Sequence, residues 1–215
     1  MRFVTMIRAL GPAALPGLAA ALRECLAQGE RAGDVIEDLL AAMPPVADEN
    51  AGTAVAELLR GGPGPMTTGA ALSALATLWG ERARPLLRGA LGHPHPRVAI
   101  ASIGGLRLLR AIDERVVRRL EAVVTGIVPA IEELRIAATM ALGEASPEAR
   151  AEAAMLVSRA FESDRRGGAT PVSGSGPALT VSLGRALLAL GVPNAASLIA
   201  QRAALSLCGR CLRRS

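Results

Sequence analysis

His93 and His95 alternate with Pro94 and Pro96 in the tetrapeptide HPHP and are the only two histidines in the chain. Neutral imidazole is a common zinc ligand, but a zinc site needs three or four ligands, and no third Cys or His stands near this pair. HPHP therefore reads as polar residues in a proline-stiffened turn. Cys208 and Cys211 form a CxxC motif whose neighbours Arg210, Arg213 and Arg214 would favour thiolate. A thioredoxin-type motif requires a βαβ setting, and half a zinc site lacks its partner half, so the pair reads as the end of a helix. Cys25 reads as a small buried apolar residue.

Carboxylates occur as neighbours at Glu37-Asp38, Asp48-Glu49, Asp113-Glu114 and Glu132-Glu133. Adjacent residues on a helix diverge by about 100°, so such a pair does not share one substrate. Placed in first helical turns, the same carboxylates complement the helix dipole. No GxSxG, GxGxxG or HExxH motif is present. All 24 basic residues are Arg and none is Lys, which removes a P-loop phosphate clamp, a pyridoxal Schiff base and a lysine nucleophile. The expectation is a non-enzyme with no metal and no cofactor.

Composition frames this reading. Half of the 215 residues (51%) are hydrophobic and the net charge is only +5, which excludes a disordered chain. An odd cysteine count gives no disulfide framework and points to a reducing, cytoplasmic compartment. Arg2 and Arg8 ahead of the apolar run from Ala9 to Leu22 have the layout of a secretory leader. Pro12 and Pro16 interrupt that run, however, and the same residues match the repeat described below. The uncharged stretch from Gly61 to Gly80 carries too many Gly, Pro and Thr residues to span a membrane and reads as a loop feeding a helix.

The charges are segregated. Residues 24–57 hold eight acids and one Arg, residues 82–119 hold nine Arg and two acids, and residues 165–215 hold seven Arg and no acid. In a linear stack, sequence order approximates spatial order. The expectation is an acidic end, a basic middle and a basic C-terminal end.

Gly-terminated apolar helices recur at ALSALATLWG (71–80), ATMALG (138–143) and SLGRALLALG (182–191). SIGGLRLLRAI (102–112) follows the same plan without the Gly. New helices start close behind, near Arg82, Asp113, Ser146 and Asn194. Helix 82–91 places Ala83, Leu86, Leu87, Ala90 and Leu91 on one stripe. Helix 113–127 does so with Val116, Val117, Leu120, Val123, Val124 and Ile127. Segment 97–112 is apolar almost all round and is expected to be covered on several sides. Asp113 and Ser146 suit N-cap positions, and Pro94 and Pro96 set the turn into the next helix. No sustained β-alternation is present. The pattern predicts an all-α stack of helical hairpins in a single domain over 1–215, with a flexible insert at 163–176 and capping helices at 177–215.

The stretch ERARPLLRGALGHPHPRVAIASIGGLRLLRAIDERVVRRL (81–120) resembles HEAT repeats, particularly the short bacterial type also found in phycobilisome-lyase proteins. That unit is a helix, a proline turn with Asp, then Val-Arg opening a second helix that ends in Leu-Gly. Pro96 and Val98 match, while His95 stands where Asp is usual and Ala99 where Arg is usual. Leu134-Arg135 and Leu142-Gly143 recover part of the motif in the next unit. The clear resemblance covers residues 65–162, with weaker stretches at 7–24 and 177–207. It implies an α-solenoid of about five HEAT-like hairpins whose second helices line the concave side. On that basis Arg107, Arg110 and Arg135 are the candidate partner-binding residues. HEAT-repeat hydroxylases of a modified lysine carry His-Glu pairs, and none occurs here.

The function expected is a non-catalytic scaffold that meets a protein partner with an acidic surface, since guanidinium groups form bidentate pairs with carboxylates. Two alternatives stand beside it. One is binding of nucleic-acid phosphates by the basic blocks, for which one Trp and no Tyr supply little base stacking. The other is a lyase-like or chaperone role towards a phycobilin protein, which follows from the resemblance alone.

Overall fold

The computed structural model describes residues 9–28, 33–127, 130–166 and 177–211. Among the described residues the chain is all-α, with eleven α-helices, two 3-10 turns and no strand. It divides into two compact units, Met1–Ala111 and Ile112–Ser215.

The first unit holds α1 (Leu15–Gln28), α2 (Gly33–Ala42), α3 (Glu49–Arg60), α4 (Pro65–Leu78), α5 (Arg84–Ala90) and α6 (Pro96–Leu108). Prolines at first-turn positions open α4 and α6, where a missing N–H costs nothing. Asp48 caps α3, its Oδ1 accepting the Ala51 N–H at 2.7 Å. Consecutive helices pair, α2 and α3 excepted, and helices two apart also pack: α1 on α3, α2 on α4, and α4 on α6. Thus α2, α4 and α6 form one row and α1 with α3 another.

Helix α4 is the centre of this unit. Ala71, Leu72, Leu75, Ala76 and Leu78 are buried there. A Cβ added at Gly105 of α6 would stand 2.8 Å from Leu87 Cδ2 and 3.1 Å from Ala76 Cβ, so glycine is what lets α6 approach this closely. The buried Ser102 hydroxyl donates to the Leu87 carbonyl in the last turn of α5, supplying a partner that a seven-residue helix cannot provide for its own end.

The second unit holds α7 (Glu114–Val124), α8 (Glu132–Gly143), α9 (Arg150–Arg166), α10 (Pro177–Ala189) and α11 (Ala195–Cys211). The arrangement repeats: α7 packs on α9 and α8 on α10. Asp113 caps α7 through the Val116 N–H at 3.1 Å. Gly143 is the last residue of α8, where an added Cβ would stand 3.3 Å from Ala186 Cα; its role is close contact with α10 rather than an unusual turn.

Some expected boundaries shift. Helix α7 stops at Val124, leaving Ile127 outside it and 71% exposed. Segment 97–112 is not enclosed all round, because Leu108 is 60% exposed and the helix ends there. Leu86 is 43% exposed, so the α5 stripe narrows to Ala83, Leu87 and Leu91. Helix α9 continues to Arg166, so the first residues of the expected insert are helical, and 167–176 lies outside the described residues.

Candidate functional site

The three arginines singled out by the sequence occupy three different settings. Arg107 sits in the last turn of α6. Arg110, although three positions on, does not share a helical face with it, because the chain has already left the helix. Its φ of 52° is left-handed. The Arg110 N–H donates to the Arg107 carbonyl at 2.9 Å and the Ala111 N–H to the Leu106 carbonyl at 2.8 Å, a Schellman ending with arginine at the usual glycine position. The same pair of bonds closes α10, where Gly191 holds that position with φ 69°. Arg135, in the other unit, turns back on α7, its Nη2 donating to the Val124 carbonyl at 3.5 Å. A guanidinium there complements the C-terminal end of the helix dipole.

The remaining candidates resolve into local structure. His93 Nδ1 accepts the His95 N–H at 3.0 Å, and His95 Nδ1 accepts the Arg97 N–H at 3.3 Å. His95 thereby caps α6 from the position where the resembled motif carries Asp. Among the described residues no three His, Cys, Asp or Glu side chains lie together in a way that could hold a metal ion. Cys25 is a half-buried free thiol. Cys208 and Cys211 belong to α11, but their side chains lie outside the described ones. Of the carboxylate pairs, Asp48 and Asp113 are caps, Glu37 accepts from the Thr67 hydroxyl at 3.2 Å, and Glu132 and Glu133 open α8.

Many charges are used between helices. Arg82 pairs with Glu49 and lies 4.5 Å over the Trp79 ring. The acidic and basic blocks of the sequence therefore meet inside the first unit. Arg23 reaches Glu57 at 3.5 Å, joining α1 to α3. In the second unit Arg118 reaches Glu152 at 3.4 Å and Arg159 reaches Glu121 at 3.3 Å, joining α7 to α9. The Thr67–Glu37, Arg82–Glu49 and Arg159–Glu121 contacts span 30, 33 and 38 positions.

The two rows of the second unit differ in what they offer solvent. On α9 the exposed stripe is Glu152, Met155 and Arg159, with the lone apolar side chain between two ion-paired charges. On the other row α8 exposes Met140 (39%) and α10 exposes Val181 (54%) and Leu188 (55%), with Arg185 between them. That apolar surface lies on neighbouring helices.

In the first unit the corresponding row carries a groove of about 660 Å³ between α2 and α4. Leu40, Ala41, Ala70, Ser73, Ala74 and Thr77 line it, with Met43 and Pro45 at one end. The Ser73 hydroxyl donates to the Gly69 carbonyl at 3.1 Å and the Thr77 hydroxyl to the Ala74 carbonyl at 2.8 Å, so both polar groups are already satisfied within α4. Sequence reasoning did not pick out this groove. Its signal is present in α4, where Ala70, Ser73, Ala74 and Thr77 recur at helical spacing as a stripe of small side chains.

These features define an all-α protein built from helices packed mainly on their near neighbours in sequence, consistent with a stacked arrangement. No protein-family model matches the chain, and no curated protein and no solved structure shows significant similarity to it. Among the described residues no helix is long and apolar enough to cross a membrane.

Proposed function

We propose that the protein is a non-catalytic scaffold of the HEAT type, built of stacked helical hairpins, that binds a protein partner along the α8–α10 row of its second unit. The observation that carries this reading is the contrast between rows. The α7–α9 row carries the ion pairs Arg118–Glu152 and Arg159–Glu121 between its helices and exposes one large apolar side chain among the described residues, Met155, whereas α8 and α10 leave Met140, Val181 and Leu188 open around Arg185. Exposed apolar side chains beside an arginine are the composition of a protein interface core. Two features support the HEAT-type stack: five consecutive helix pairs in contact, and polar contacts spanning 30, 33 and 38 positions.

In this reading a rigid stack presents residues that are already ordered, so association loses little conformational freedom. Of the arginines expected to contact an acidic partner, Arg110 is exposed at the end of α6; Arg185, not among them, is exposed on α10. Arg107 is half-buried, and Arg135 is turned towards Val124. The nucleic-acid alternative is weakened by Trp79, the single Trp, which packs against Gly52 beneath Arg82 and is not free to stack on a base.

The test is affinity capture from native lysate with wild type and with Val181→Ser/Arg185→Glu/Leu188→Ser. The variant is expected to keep its helical circular dichroism and lose the captured partner. Unchanged capture would remove the assignment of this row.

A further inference from the structure

We infer that the groove between α2 and α4 is a seat for a partner's α-helix, one with small or apolar residues along its buried ridge and basic residues along the flank that lies over α2. The inference rests on the scaffold reading above and goes on to name a site and the chemistry of its occupant.

The first argument is how a helix already sits against α4. On one flank α4 receives α6 through small residues: a Cβ added at Gly69 would lie 3.6 Å from Ala101 Cβ, and one at Gly105 would lie 3.1 Å from Ala76 Cβ. The other flank repeats that texture with Ala70, Ser73, Ala74 and Thr77, facing Ala41 of α2 across an open groove. Small side chains let helix backbones come close, and ridges of an incoming helix enter grooves of this kind. The hydroxyls of Ser73 and Thr77 make no demand on the occupant, because their hydrogen bonds close within α4. An apolar ridge can therefore cover them without leaving a polar group unmatched.

Charge supplies the second argument. Asp34, Asp38 and Ala41 share the exposed stripe of α2, so the two carboxylates line up with the groove wall one and two turns from Ala41. Elsewhere in this unit Glu49, Glu57 and Glu81 each hold an arginine. Asp34 and Asp38 make no ion pair among the described residues. An occupant with Arg or Lys on that flank finds two carboxylates that no described side chain pairs, in line with its own helix, and one with Glu there meets repulsion. The acidic groups invoked for the partner belong on its other flank, towards Arg97 of α6.

The experiment measures fluorescence anisotropy of a labelled synthetic Ala/Leu helix bearing arginines along one flank, against its counterpart with glutamates, using the full chain. The arginine peptide is expected to bind wild type, more weakly as salt rises, and the glutamate peptide to bind weakly or not at all. Asp34→Asn/Asp38→Asn is expected to weaken the arginine peptide by about fivefold, as two exposed ion pairs allow. Ser73→Trp and, separately, Ala41→Trp fill the groove from opposite walls at exposed positions and are expected to abolish binding with an unchanged Tm. Equal binding of the two peptides, binding that survives both Trp variants, or binding of the apolar dye anilinonaphthalene sulfonate in the groove with no peptide binding would each overturn the inference. If capture of a lysate partner is lost in the α10 variant but persists in Ser73→Trp, the scaffold reading stands and the groove falls. Loss in neither removes both.

Discussion

The backbone N–H of Ser146, ahead of α9, donates to the carbonyl of Ile112, ahead of α7, at 2.8 Å. The first unit has the same kind of bond, from the Asp48 N–H ahead of α3 to the Leu78 carbonyl at the end of α4, at 3.0 Å. In each case a turn of one hairpin is tied to a turn of the next. A buried turn must place its backbone groups somewhere, and here a second inter-helix turn accepts them.

The ion pairs between α7 and α9 hold register more than they stabilise. Their side chains are 30–64% exposed, where solvent screens the attraction. A double-mutant cycle on Arg159 and Glu121 is expected to give a coupling of about 0.5 kcal/mol that fades by 1 M salt. Urea denaturation of the four proteins measures it.

Arg110 holds a left-handed conformation that an L side chain adopts at a cost. Arg110→Gly is therefore expected to stabilise the protein by about 1 kcal/mol, and Arg110→Ala to give no such gain. The midpoint of urea unfolding distinguishes them. A destabilised Arg110→Gly would mean that the side chain matters more than the turn.

Ser102→Ala removes the donor that serves the Leu87 carbonyl in a fully buried setting. An expected loss of about 1–3 kcal/mol follows from leaving that carbonyl unmatched. Gly105→Ala is expected to cost a similar amount through overpacking against Leu87 and Ala76. Chemical denaturation with unchanged m-values checks both.

Much of this fold was legible. Asp113 was readable as a cap because its carboxylate precedes an apolar stripe by the spacing a cap requires, and helix starts near Asp113 and Asn194 were readable from the segments before them. The end of α6 was less so: with no glycine after Leu109, nothing in the residue types marked Arg110 as left-handed. Burial around α6 was overestimated for a related reason, since an apolar residue at a helix end, such as Leu108, can remain exposed when the chain turns away beside it. The groove escaped notice because small residues carry little hydropathic contrast, so the outward stripe of α4 did not stand apart from its inward one.

Glu148 gives a pH handle. Its own backbone N–H and then the Ser146 hydroxyl hold its carboxyl below the ordinary carboxylate pKa, against a small opposing effect of burial. A depressed folded-state pKa contributes stability that is present above the unfolded value, near 4.3, and is lost as pH falls through the folded one. Glu148→Gln is expected to be less stable than wild type at neutral pH and to approach it once the Glu148 carboxyl is protonated in both the folded and the unfolded state. Thermal melts across the acid range follow the convergence.

The most direct measurement of the central claim compares two charge and polarity changes on opposite rows. Capture by Val181→Ser/Arg185→Glu/Leu188→Ser is set beside capture by Arg115→Glu on α7, where the side chain is also exposed. The account predicts that the partner is lost only from the α10 variant while both proteins melt as wild type does. Partner loss from the α7 variant alone, or equal capture by both, would contradict it.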